Sequence, residues 1–105
     1  MEVPKIENIH NRIKEVIHDN GNKLDMSDWH TCDTTHCRAG WVTVLAGKEG
    51  KKLEEETSTL FAAMQIYKKS SDIKVSPVRF FESNEVAMKD IERCAEEELK
   101  SLKTL

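Results

Sequence analysis

Apolar residues stand at Ile6, Ile9, Ile13, Val16 and Ile17, and steps of three or four residues place them on one stripe of a 3.6-period helix. Pro4 precedes that stripe and Gly21 follows it, which suits a helix start and stop. Residues 22–35 lose the period and fill with Asn, Asp, Ser and Thr, whose side chains bond to nearby backbone and favour turns. A loop is expected there, with Leu24, Met26 and Trp29 folded back onto the core because exposing Trp29 would forfeit a large burial gain. A second helix is expected from a cap at Asp33, Thr34 or Thr35 through Cys37–Ala46 to Gly47. Its core stripe is Cys37, Trp41, Val44 and Leu45, and its small-residue strip, His36, Gly40, Thr43 and Gly47, would admit a closely packed backbone.

Between residues 51 and 69, Leu53, Thr57, Leu60, Phe61, Met64 and Tyr67 again keep helical spacing, with Glu54, Glu55 and Glu56 early and Lys68 and Lys69 late, as the helix dipole prefers. Thr57 or Ser58 is the point where this segment would divide. Ser76 and Pro77 are placed to cap and open a short turn, on which Phe80 and Phe81 act as a hydrophobic plug beside Val78. A last helix is expected over residues 84–102, with Ala87, Ile91, Cys94, Ala95, Leu99 and Leu102 on its core face. Ile73-Lys74-Val75 is too short to found a sheet. The pattern predicts an all-α fold, a compact single domain of four to five helices over residues 1–105.

Composition narrows the picture further. At 105 residues the chain has room for one core only, and that core is modest because Leu, Ile, Val and Phe make up just 24 residues. Lys+Arg of 16 against Asp+Glu of 19 gives a net charge of −3, which argues against a broad nucleic-acid footprint. Residues 48–81 alone are net basic, and Lys48, Lys51, Lys52, Lys68, Lys69 and Lys74 come with no phosphate loop or helix-turn-helix pattern. The longest nearly apolar stretch, Ala39–Gly47, is far below the roughly 20 residues a membrane helix needs. Residues 1–7 carry no signal-peptide pattern, and three cysteines are an odd number with no disulfide framework. A cytoplasmic protein is the expectation.

Chemistry concentrates in Trp29-His30-Thr31-Cys32-Asp33-Thr34-Thr35-His36-Cys37-Arg38-Ala39-Gly40-Trp41. Within it, Cys32-x-Thr34-x-x-Cys37-x-Ala39-Gly40-Trp41 resembles a motif of small uncharacterised proteins from bacteria and their phages. In that motif Gly often stands at the position of Asp33, and an apolar residue or His at that of His36. The resemblance spans residues 29–47 well and the rest loosely. It implies a shared helical core and no established activity. The Asp33 departure bears on the turn before the second helix, since Gly permits positive φ more readily than Asp.

Three readings compete for this segment. As a metal site, His30, Cys32, His36 and Cys37 offer ligands that suit zinc, although His36 and Cys37 would point about 100° apart on a helix. As a thiol site, Cys37 near a helix N-terminus would be the nucleophile, with His30 or His36 as base, Arg38 adding positive charge and Cys32 resolving by disulfide formation. The third reading makes Cys37 and Cys94 small core residues, Asp33–Thr35 caps and the tryptophans anchors, and it accounts best for where these residues fall. Elsewhere, His10 and His18 read as surface histidines, Tyr67 as a hydrogen-bonded edge of the core, and the Glu54–Glu56 and Glu96–Glu98 runs as solvated faces.

With no catalytic set legible, the expected role is non-catalytic: an accessory or regulatory factor that binds a protein partner, or a second copy of itself, through Trp29, Trp41, Phe80 and Phe81. The alternative is a metal-binding or redox-active thiol protein using the His30/Cys32/His36/Cys37 cluster. No cofactor is called for unless that cluster takes zinc.

Overall fold

The computed structural model describes residues 2–103. The first apolar stripe forms helix α1, Ile9–His18, with Ile9, Ile13 and Ile17 turned inward. Asn8, just ahead of it, has φ 55° and leaves the helix start without a side-chain cap of its own. The cap comes from the far end of the chain, where Glu98 accepts from the backbone N–H groups of His10 and Asn11 at 3.1 and 3.0 Å. Orphan N–H groups and the positive end of the helix dipole both favour a carboxylate there. Glu98 therefore faces inward while Glu96 and Glu97 are exposed, and the expected solvated run is split. The helix carrying it, α5 (Asn84–Lys103), packs along α1. Its buried line runs through Ala87, Asp90, Ile91, Cys94 and Ala95; Leu99 and Leu102 are half exposed, against the expected core face, because Glu98 takes the inward position in that turn.

His10 is buried, not on the surface. It stands four residues after Ile6, three before Ile13 and seven before Ile17, so it belongs to the buried face. Its ring stacks on Tyr67 at 5.3 Å.

Residues 22–36 are not an open loop but a small sheet, with strands β1 (Lys23–Leu24), β2 (His30–Cys32) and β3 (Thr35–His36) in the order β1-β3-β2. β1 runs parallel to β3, and β2 pairs with β3 antiparallel through Cys32 opposite Thr35. Strands of two or three residues leave no alternation to read. Among the described residues Asn8 is the only non-glycine residue at positive φ, so the Asp33-Thr34 turn does not use the backbone shape that only glycine adopts freely.

The second helix starts later than its capping residues suggest. Pairing holds Thr35 and His36 extended, and α2 occupies Arg38–Leu45 with Cys37 as its N-cap, the Sγ accepting from Gly40 N–H at 3.3 Å. Helices α3 (Gly47–Glu56) and α4 (Thr59–Ser70) follow. The segment that the sequence left open as one helix or two divides at Thr57 and Ser58, and Ser58 caps α4 by accepting from Phe61 N–H at 3.0 Å. A 3-10 turn over Pro77–Phe81 then leads into α5.

The small-residue strip has a defined use inside the fold. A Cβ on Gly40 would lie 2.0 Å from the carbonyl oxygen of Trp29, so only glycine lets the sheet sit directly on α2. The fold is all-α with this sheet added: five helices around one core that holds Ile9, Ile13, Trp41, Leu53, Ile66 and Phe80. Among the described residues no helix is long and apolar enough to cross a membrane.

Candidate functional site

The hairpin β2–β3, the end of α2 and helix α3 build a cleft. His30 and His36, opposite each other across the hairpin, join Nδ1 to Nδ1 at 2.7 Å. His36 Nε2 lies 3.0 Å from the Asp33 carbonyl, and His30 Nε2 lies 2.6 Å from Glu54 Oε2 on α3. Thr59 donates its hydroxyl to the same carboxylate oxygen.

The Asp33 carbonyl only accepts, so His36 donates to it from Nε2. Across the Nδ1–Nδ1 bond one ring donates and the other accepts, and His30 Nε2 is hydrogen-bonded to the Glu54 carboxylate. Glu54, expected on a solvated face, is thus engaged.

Cys32 is exposed beside this row, on a cleft of about 530 Å³ that His30, His36, Glu54, Lys48 and Lys51 also line. Its thiol is pulled down to about 7 by hydrogen bonding from the Thr34 hydroxyl and backbone, with Thr35 adding to the effect. The Thr34 Oγ1 stands 3.6 Å from Sγ.

Cys37 behaves oppositely. It is buried, it caps α2, and burial pushes its thiol up. The expected roles therefore exchange: Cys37 is not placed to be the nucleophile, and Cys32 is the accessible thiol. Nor do the four sequence-picked ligands converge. The two histidines meet and Cys32 shares their cleft, but Cys37 lines a separate hollow with Met26 and Trp29. Among the described residues no group of three or more His, Cys, Asp and Glu side chains is disposed to hold a metal ion.

That second hollow, about 240 Å³, lies between the Met26–Trp29 segment and the 3-10 turn. Trp29 meets Phe81 edge to face at 5.9 Å. The two phenylalanines expected to form a plug divide their work, since Phe80 is buried against Tyr67 while Phe81 is 67% exposed and Val78 70%. Trp41 is buried, its Nε1 donating to the Lys23 carbonyl at 2.9 Å. Of Trp29, Trp41, Phe80 and Phe81, only Trp29 and Phe81 reach the surface.

Sequence reasoning missed the polar centre of the molecule. Arg38, expected to lend charge to Cys37, points inward without any solvent contact. It donates to Asp90 Oδ2 at 2.7 Å and to the Tyr67 hydroxyl at 3.1 Å, with Cys94 Sγ 3.8 Å away. Desolvation works against the Arg38 cation, but Tyr67 and Asp90 more than offset it and its pKa is raised. Burial likewise opposes the Asp90 carboxylate, and the hydrogen bonds from Arg38 and Arg93 overcome it, so its pKa is lowered. Burial raises both Tyr67 and Cys94. Nε, Nη1 and Nη2 of Arg38 each meet an acceptor, and the cluster has the character of a structural ion pair.

Comparison with family models, curated proteins and solved structures gives no match to this chain. The functional reading rests on the geometry above.

Proposed function

We propose that the protein is a non-catalytic accessory or regulatory factor that binds another protein through the face made by Trp29, Val78 and Phe81. The observation that carries this reading is the pair of large apolar side chains left open on one short, fixed turn. Phe80 anchors that turn in the core, and Arg79 ties it to Glu82 at 2.8 Å and to Asp90 at 3.5 Å. An apolar group presented on a rigid element loses little entropy on docking, and aromatic side chains over a pocket are the usual centre of a binding surface. The hollow beside Phe81 has room for one apolar side chain, and Asp28 on its rim favours a basic neighbour to that side chain. The partner surface is accordingly a basic-flanked apolar anchor.

The test uses a photo-crosslinking amino acid in place of Ser27, which lines the same hollow, in the full chain expressed in its host, with and without the Val78→Ser/Phe81→Ser substitutions. A discrete crosslinked partner whose capture the variant abolishes supports the reading. Crosslinking only to a second copy of the chain would make the face a homodimer interface. No crosslink, or capture unchanged by the variant, overturns it.

A further inference from the structure

Ile73-Lys74-Val75, too short to found a sheet by itself, lies in a segment of alternating burial. Ser71, Ile73 and Val75 are half-buried, and Asp72, Lys74 and Ser76 are exposed. Ser71 and Ser76 bracket it with extended backbone, at φ −154°, ψ 150° and φ −68°, ψ 145°, and Val75 packs against the core. Among the described residues the backbone N–H and C=O groups of Lys74 and Val75 make no hydrogen bond. Strand-like backbone left unpaired at a surface is a template for another chain. The segment borders a cleft of about 780 Å³ closed by α4, the 3-10 turn and Arg93 of α5. That cleft shares no lining residue with the hollow at Phe81 or with the histidine cleft. In its lining Lys68, Lys74, Arg79 and Arg93 stand against one carboxylate, Asp72. Behind them a single carboxylate, Asp90, serves the guanidiniums of Arg38, Arg79 and Arg93, while Glu82 and Glu97 each meet one of the outer two. Lys68 and Lys74 make no ion pair among the described residues. Even with those carboxylates counted, the cluster keeps positive charge in excess, on a chain of net charge −3. We infer that residues 71–76 are a docking strand for an acidic, extended segment of another protein, which pairs its backbone with Lys74 and Val75 and sets its carboxylates among the four cations.

In strand addition the main-chain bonds supply affinity and the alternate side chains supply selectivity. A lone two-stranded ladder is marginal in water, but here half-buried Ile73 and Val75 root one strand on the helical core. The segment is also held at both ends. Ser71 N–H donates to the Tyr67 carbonyl at 3.0 Å, Ile73 N–H to Ser71 Oγ at 3.0 Å, and the Ser76 carbonyl accepts from Arg79 N–H at 2.9 Å. A strand fixed in this way loses less entropy on docking. Charge selects the occupant: a basic segment is repelled by Lys68 and Lys74, and an apolar one leaves them unanswered. The chain's own acidic runs, Glu54–Glu56 and Glu96–Glu98, lie in helices and so are not strands that a second copy could offer. The site stands independently of the face at Phe81.

The experiment titrates the folded full-length protein with three fluorescently labelled heptapeptides. One alternates glutamate and valine, one lysine and valine, and one glutamate and proline, the last equal in charge to the first but unable to continue a ladder. Anisotropy reads affinity and NMR reads contact. The glutamate–valine peptide is expected to bind about tenfold or more tighter than either of the others, more weakly as salt rises, and with cross-strand NOEs to the backbone of Lys74 or Val75. Lys68→Glu/Lys74→Glu should abolish the preference for glutamate over lysine, and the milder Lys68→Gln/Lys74→Gln should reduce it, with circular dichroism unchanged. Val78→Ser/Phe81→Ser should leave it intact. No binding up to about 1 mM, equal binding of the three peptides, or binding without backbone contact at residues 71–76 would mean a solvated loop and overturn the site. Self-association of the protein that the peptide displaces would make a second copy the occupant and overturn the acidic partner.

Discussion

Arg38 and Asp90 face each other at 2.7 Å with the guanidinium fully buried and the carboxylate 3% exposed, across 52 residues of sequence. The pair joins the N-terminus of α2 to the middle of α5. Desolvating two charges costs several kcal/mol each, and their attraction only repays this when geometry is good and the remaining donors are met. Here Tyr67, Cys94 and Arg93 complete the set.

Removing one partner should therefore be far worse than removing both. Asp90→Ala or Arg38→Ala is expected to cost about 3–5 kcal/mol by stranding a buried charge, whereas Arg38→Met combined with Asp90→Leu should recover much of that loss. Urea unfolding of the four proteins decides it. A double variant no more stable than the worse single one would show that the pair is a net source of stability.

A second expectation concerns acid. Burial lowers the pKa of His10, which is faced by Tyr67 on α4, Arg38 on α2, and Asp90, Arg93 and Glu98 on α5. The unfolded chain binds this proton below about pH 6.5 and the folded chain resists it. The His10 contribution to stability is thus complete above about pH 6.5 and declines as pH falls below it, by at most about 1.4 kcal/mol per pH unit. His10→Phe, which keeps a ring against Tyr67, should flatten the slope relative to the parent between pH 6.5 and 5. Identical slopes would exclude His10. Asp90, whose folded pKa is depressed, contributes stability that is present above about pH 4 and lost as pH drops through its folded value.

These groups show how legible the molecule was. The isoleucine stripe of α1 could be read because it is local and rests on helical spacing, whereas the apolar spacing on both sides of Ser58 is helical and left open whether residues 53–69 form one helix or two. The signal for the polar centre was also present but unused. Arg38 is the one charged residue between Cys37 and Gly47, and Asp90 keeps three- and four-residue spacing with Ala87 and Cys94 on the buried line of α5. A charge inside an apolar stripe implies a partner. The sheet left no such signal, since its strands are set by long-range bonds such as Lys23 N–H to the Thr34 carbonyl at 2.9 Å. Nor could spacing tell Cys32 from Cys37, because the exposure of each depends on where the hairpin ends and α2 begins.

Gly40 is where that junction is tightest. A methyl there would collide with the Trp29 carbonyl and press on His30 Nδ1 and His36 Cβ, both at 3.1 Å. Gly40→Ala gains helix propensity of up to about 1 kcal/mol, yet the obstacle is backbone and cannot rotate away. A net loss of about 1–3 kcal/mol is expected, with displacement of the hairpin visible as altered His30 and His36 ring resonances in NMR. An unchanged melting midpoint and unchanged spectra would mean that the sheet does not rest on α2 in solution.

The adjacent phenylalanines separate core stability from the proposed binding face. Phe80 is buried against Tyr67, so Phe80→Ala should cost about 3–5 kcal/mol. Phe81 contributes chiefly its edge contact with Trp29, and Phe81→Ser should change unfolding by no more than about 1 kcal/mol. A large loss from Phe81→Ser would mean that its ring closes over the hollow as part of the core, and a partner surface at this turn would then lose its motivation. A small loss leaves a chain that retains an exposed aromatic residue its own folding does not need, and an exposed apolar group of that kind is expected where another molecule binds.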